Sequence, residues 1–155
     1  MLVSYSDISN KSKIWIYPSS RIISSIEQKD IQDQLSHFCS SWKSHNHDVM
    51  ASFKVCSHCI CLFVDENTCE ASGCSIDQSV ALIKSISRKY NIDFFNRFNI
   101  AYIDNDIIKI LHLNQFKLLI KPGIIIYNNM IKNKLEFESK WRTPVEDTWL
   151  NKLLG

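Results

Sequence analysis

Apolar positions recur along this chain with two periods, and the switches between them mark out its elements. Residues 13–17 (KIWIY) are β-branched and aromatic, predicting a strand that Pro18 stops, because proline fixes φ and offers no N–H. Ile26, Ile31, Leu35, Phe38 and Trp42 then recur at helical spacing. Ser24, followed three residues later by Glu27, is the capping box that marks such a helix's start. This helix should end near Lys43. After the polar turn 44–48 (SHNHD), residues 50–56 and 59–65 predict two paired strands joined through Ser57 and His58. A loop over 66–73 (ENTCEASG) leads to a second helix presenting Ile76, Val80, Ile83, Ile86 and Tyr90 on one face, with Ser75 and Gln78 as its expected capping pair.

Residues 100–103 predict another strand, and 107–111 a further one across the Asn105-Asp106 turn. The order β-α-β-β-α-β over 1–105 is that of a ferredoxin-like split βαβ unit, in which two helices cover one face of an antiparallel sheet. Residues 106–155 read as a C-terminal α/β extension. It comprises a helix over 113–121 closed by Pro122-Gly123, a strand over 124–127 and a helix over 134–141. A last helix follows, with Thr143 as N-cap, Pro144 at its first position and Glu146 at its third, bearing Trp149, Leu150 and Leu153. No repeat or linker intervenes, so the expected fold class is α+β in a single domain over 1–155.

Composition narrows the class of function. The 155 residues are 45% apolar and 22% charged, enough for one buried core. Lys and Arg number 18 against 16 Asp and Glu, a formal +2, so neither a polyanion-binding surface nor an acidic tail is signalled and nucleic acid is not indicated. Lysine outnumbers arginine 14 to 4, and glycine occurs only at 73, 123 and 155, the usage of an AT-rich genome. Apolar runs such as 124–127 fall far below the ~20 residues of a spanning helix, so no membrane insertion is expected. Residues 1–10 carry no basic segment ahead of an apolar stretch. Cysteines 39, 56, 59, 61, 69 and 74 therefore read as reduced thiols in the cytoplasm.

Each internal glycine needs a backbone reason. Gly123 is expected to cap a helix. Gly73 lies in 71–77 (ASGCSID), at the start of the second helix. There free N–H groups and the positive end of the helix dipole converge, and can hold an anion or favour a thiolate at Cys74. Glu70 and Asp77 oppose the thiolate, since like charge disfavours a second anion. The bland alternative is a small thiol buried at a tight helix start. In the expected topology the first helix's exit and the second helix's start share one end of the sheet. Trp42 and His45, with His47 two residues on, then lie beside Asp65, Ser72, Gly73 and Cys74, the arrangement of a Cys/His pair.

Other motifs point less far. Cys56-Ser57-His58-Cys59-Ile60-Cys61 has zinc-type ligands, but no second C-x-x-C follows, and period-two alternation sends Cys59 and Cys61 together toward the core. No metal site is expected. Lys117 and Lys121 read as a solvated face, and Trp141 and Trp149 as core plugs. Neither G-x-x-x-x-G-K-[ST] nor G-x-S-x-G occurs.

Taken together, Trp42-Lys43-Ser44-His45, Ala51-Ser52-Phe53, Val64-Asp65-Glu66, the ASGCSID stretch, Asn128-Asn129 and the closing Trp141, Pro144 and Trp149 resemble a family of small uncharacterised Bacteroidetes proteins. The similarity runs over nearly the whole chain and is most specific at 71–77. The AT-rich usage would suit a reduced-genome endosymbiont of that group. Members are often labelled "ABC transporter ATPase", which the missing phosphate loop contradicts here. The resemblance implies kinship and no established activity.

The function expected is that of a small-ligand or anion-binding domain at the 72–75 loop. The N–H groups of Gly73, Cys74 and Ser75 would meet a carboxylate or phosphate, with Trp42, His45, Ser52, Asp65, Ser72 and Asp77 around it. Two alternatives stand beside it. One is an enzyme with Cys74 as nucleophile and His45 as base; the other is an interaction module whose sheet pairs in a homodimer. No cofactor is expected.

Overall fold

The computed structural model describes residues 1–67 and 69–155; Thr68, inside the expected 66–73 loop, lies outside the described residues. Along the chain run β1 (Lys13–Pro18), α1 (Ser25–Ser41), the two-residue strands β2 (Lys43–Ser44) and β3 (His47–Asp48), β4 (Met50–Val55), β5 (Cys59–Asp65) and α2 (Gly73–Tyr90). Then come β6 (Asn99–Asp104), β7 (Ile107–His112), α3 (Leu113–Phe116), β8 (Ile125–Tyr127), α4 (Lys134–Lys140), β9 (Arg142–Pro144) and two 3-10 turns. No helix among the described residues is long and apolar enough to cross a membrane.

The architecture is α+β with antiparallel sheets, but the single ferredoxin-like sheet is not formed. The first sheet has the order β1-β5-β4, as the split unit requires. Its fourth strand, β6, should then lie hydrogen-bonded beside β1. Instead both edges of β6 are occupied, by β7 and β8, in a second sheet of order β7-β6-β8-β9. The outer edge of β1 is partly taken by a bridge between Lys13 and Asn133 and cannot compete well for it. Ile14 N–H faces that edge and donates to Lys132 O, so alternation places the Pro18 nitrogen on the same edge, where it has no hydrogen to give. The two sheets therefore meet at β1 and β6 as a seam without strand pairing.

The first sheet is covered on both faces, which is why β5 is apolar almost throughout. On one face Ile60 packs with Ile31 and Leu35 of α1 and with Ile83 and Ile86 of α2. On the other, Cys59, Cys61 and Phe63 pack with Phe137 of α4, Ile131 and Ile8. Lys134 of α4, 4% exposed, donates to Tyr5 O (2.7 Å) and Ile8 O (2.9 Å) and stands 4.5 Å from the Tyr5 ring centre. Replacing it by Met leaves those two carbonyls without a donor, and Lys134→Met is expected to cost about 2 kcal/mol in urea unfolding. In the second sheet, Ile100, Tyr102 and Ile126 pack with Phe116, Val145 and Leu150.

Local departures from the expected elements have local causes. The Ser24–Glu27 capping box forms as read, but Ile26 is 86% exposed: it sits five residues before Ile31, about 140° around the helix from it. The N-cap of α2 is Ser72, not Ser75. The helix expected over 113–121 stops at Phe116, and the Pro ahead disfavours helical geometry at Lys121. Gly123 (φ 92°) consequently caps no helix; it makes a turn whose N–H donates to Glu146 Oε2 at 2.9 Å. Thr143 and Pro144 pair with β8 on an outer strand, and the last turn is capped by Thr148 instead.

Candidate functional site

The start of α2 and the exit of α1 meet as expected, and hydrogen bonds tie them together. Ser72 N donates to Ser44 Oγ (3.0 Å), and the buried Trp42 indole N–H donates to Ser75 O (3.0 Å). Glu66 accepts from Ala71 N (3.0 Å) while paired with Lys13 (2.6 Å), which pins the preceding loop. These same bonds use up most of the expected cage. Ser75 N–H is taken by Ser72 Oγ (3.2 Å) and Ser75 Oγ donates to Ser72 O (2.8 Å), and Ser75 is 1% exposed. Among the described residues, only the first two amides of the helix, at Gly73 and Cys74, are left to face a ligand.

The remaining expected site residues scatter. Trp42 is buried among Trp15 and Phe38. Ser52, also buried, pairs opposite Phe63, whereas its neighbours Ala51 and Phe53 belong to the Trp42 cluster; strand alternation therefore puts Ser52 on the far face of the sheet. Asp65 is half-buried and accepts from Asn67 N (3.0 Å). Gly73 needs neither positive φ nor a close approach, since among the described residues nothing beyond its own chain neighbours and helix backbone lies within 4 Å of where its Cβ would be. Cys74 and Asp77 are exposed, so the buried-thiol alternative fails as well. His45 (φ 50°) and Asn46 (φ 66°) form the left-handed tip of the β2–β3 hairpin, exposed like His47. Among the described residues no hydrogen bond joins Cys74 to either imidazole.

A different place has the shape of a binding site. The β1–β6 seam opens into a cleft of ≈ 410 Å³, floored by Ile16 of β1, Ile100 of β6 and Ile126 and Tyr127 of β8. Phe98 (38% exposed), Met130 (61%) and Trp149 wall it. Arg97 and Lys152 stand at its rim, and Arg97 lies 5.3 Å over the Phe98 ring. Five ion pairs occur among the described residues and neither of these cations takes part in one. A second hollow of ≈ 390 Å³ contrasts with it, because its charges are partly used: Glu138 accepts from Tyr5 OH (2.9 Å) and Lys54 lies over the Tyr5 ring (3.9 Å).

Sequence reading missed the cleft. Its one signal was the adjacent pair Arg97-Phe98, which neither periodicity nor a motif picks out; Phe94 and Phe95 just before it pack in the core and on Tyr17 instead. His58 is buried between Tyr127 (4.0 Å), which lines the cleft, and Trp141 (5.2 Å), which lines the second hollow; burial lowers its pKa from 6.5 to about 4. Comparison of the chain with protein-family models, curated proteins and solved structures finds no match.

Proposed function

We propose that the chain is a small-ligand-binding domain whose ligand is an apolar anion held in the β1–β6 cleft. The observation that carries this reading is an apolar cleft with two cations at its rim that have no carboxylate partner among the described residues. Apolar walls with a few placed polar groups are the usual make-up of a small-molecule site. Such walls would take the hydrocarbon part of a ligand, and Arg97 and Lys152 its carboxylate or sulfonate. The 72–75 loop, with its hydroxyls satisfied internally, is the weaker place for an anion. A Cys74 enzyme is the less supported reading, because among the described residues no hydrogen bond joins Cys74, exposed at the start of α2, to the exposed His45. All six thiols are unpaired, which suits the cytoplasmic location read from the sequence. That location and membership of the ASGCSID family belong to the same proposal, and neither adds an activity.

The test uses the fluorescent sulfonate 1-anilinonaphthalene-8-sulfonate and its displacement by octanoate. One site per chain is expected, with octanoate displacing the dye far better than octanol. The double variant R97E/K152E should weaken octanoate at least about tenfold, the equivalent of ~1.4 kcal/mol. Both side chains are exposed, so the fold should survive their reversal. Equal displacement by acid and alcohol, or an unchanged affinity in the double variant, would remove the anion from the reading.

A further inference from the structure

A second chemistry is carried by residues that the cleft does not use. Continuing the β4–β5 register beyond Val55↔Ile60 places Cys56 directly opposite Cys59, and Cys56 N donates to Cys59 O at 2.9 Å. Directly opposed residues of an antiparallel pair have Cα atoms about 4.5–5.5 Å apart, within the range a disulfide spans. Cys59 Sγ also lies 3.7 Å from Cys61 Sγ. That pair is less suited, because residues two apart on one strand are separated by about 6.6–6.8 Å, the upper limit for a bridge.

The three thiols differ in access and charge. Cys59 is 1% exposed and Cys61 fully buried, whereas Cys56 is half-buried, so a solvent-borne reagent meets Cys56 first. The Cys59 thiol directly opposite and the Lys54 ammonium on the same strand face both hold the Cys56 thiol below its ordinary pKa, while burial pushes Cys59 well above it. Cys56 is thus the thiol prepared to attack, and Cys59 is placed to resolve by its position directly opposite. Cys74 is more exposed but has no thiol partner of this kind.

We infer that Cys56 and Cys59 form a dithiol that a hydroperoxide oxidises to a disulfide across the β4–β5 hairpin. The Cys56 thiolate attacks the peroxide, the O–O bond breaks, and an alcohol (water for hydrogen peroxide) leaves with the proton, giving a sulfenic acid at Cys56. The Cys59 sulfur then attacks that sulfur. The S–S bond forms as the S–O bond breaks, and the Cys59 proton departs with the hydroxide as water. Two thiols and one hydroperoxide become a disulfide, an alcohol and water, the two electrons passing from sulfur to oxygen.

Folded, full-length protein is treated with equimolar hydrogen peroxide, unfolded in N-ethylmaleimide and mapped after pepsin digestion. The expected result is loss of two alkylatable thiols, a peptide pair cross-linked between Cys56 and Cys59, alkylated Cys39, Cys61, Cys69 and Cys74, and recovery of both lost sites with dithiothreitol. Cys59→Ser should stop the reaction at a dimedone-trappable sulfenic acid on Cys56. The wild-type map stands without that variant if the buried substitution impairs folding. Full alkylation of Cys56 after peroxide, or a bridge joining Cys59 to Cys61 or Cys69 to Cys74, overturns the inference.

Discussion

Acidification from about pH 7 toward pH 4 is expected to remove about 3 kcal/mol of folding stability through one side chain, His58. Its ring is 5% exposed, Nε2 has no hydrogen-bond partner among the described residues, and Nδ1 meets only Ser57 Oγ at 3.4 Å. Burial disfavours the imidazolium, so the folded pKa falls to about 4 while the unfolded chain keeps 6.5. Between those values the unfolded chain binds a proton that the folded chain refuses. Stability is fully present above 6.5 and is lost progressively as the pH falls toward 4. Two carboxylates begin to add their own loss at about pH 5, inside the lower part of that window, and most of it falls below about pH 4. Glu27, hydrogen-bonded by Arg21, and Asp30, hydrogen-bonded by Lys89, are each held down to about 2. Urea unfolding across the window checks the slope, and His58→Phe should flatten it while keeping a ring between Tyr127 and Trp141. An equal slope in the variant assigns the proton elsewhere.

Trp42→Ala is expected to cost about 4 kcal/mol, the high end for one buried side chain. Trp42 is 2% exposed, packs 5.0 Å from Phe38 and 6.2 Å from Trp15, and its indole N–H holds Ser75 O. For a chain of this size the thermal midpoint should fall by about 8–16 °C. Trp42→Phe separates the two contributions. It keeps most of the packing, should cost about 1 kcal/mol for the lost hydrogen bond, and should lower hydrogen-exchange protection at the first turn of α2 more than elsewhere. A uniform loss of protection would mean that the indole bond does not anchor the helix start.

The helix α1 was legible because its signals are local. Ser24 and Glu27 lie one turn apart, and the apolar positions from Ile31 onward repeat on one face. The β4–β5 hairpin and the β6–β7 hairpin, with Asn105 (φ 51°) and Asp106 (φ 64°) at its tip, were legible for the same reason. Signals that required choosing between two local solutions were misread. Ser72 and Ser75 can each cap a helix; in the fold Ser72 Oγ accepts from Ser75 N, and the indole of Trp42, 33 residues before Ser75, holds Ser75 O, so Ser75 is already inside the helix.

What the residues by themselves determined is the α+β class and the order of most elements, which follow from periodicity, caps and turn chemistry, and the meeting of α1's exit with α2's start, which follows from the β1-β5-β4 part of the expected topology. Tertiary structure alone decided which strand β6 pairs with. Several edges competed for it, and the outcome turns on a missing N–H at Pro18 and on strands that arrive later in the chain. The cleft is a consequence of that choice. Arg97 and Lys152, 55 positions apart in the sequence, line the same cleft because a long-range pairing left the seam open, and no pattern within a few residues of either one records that.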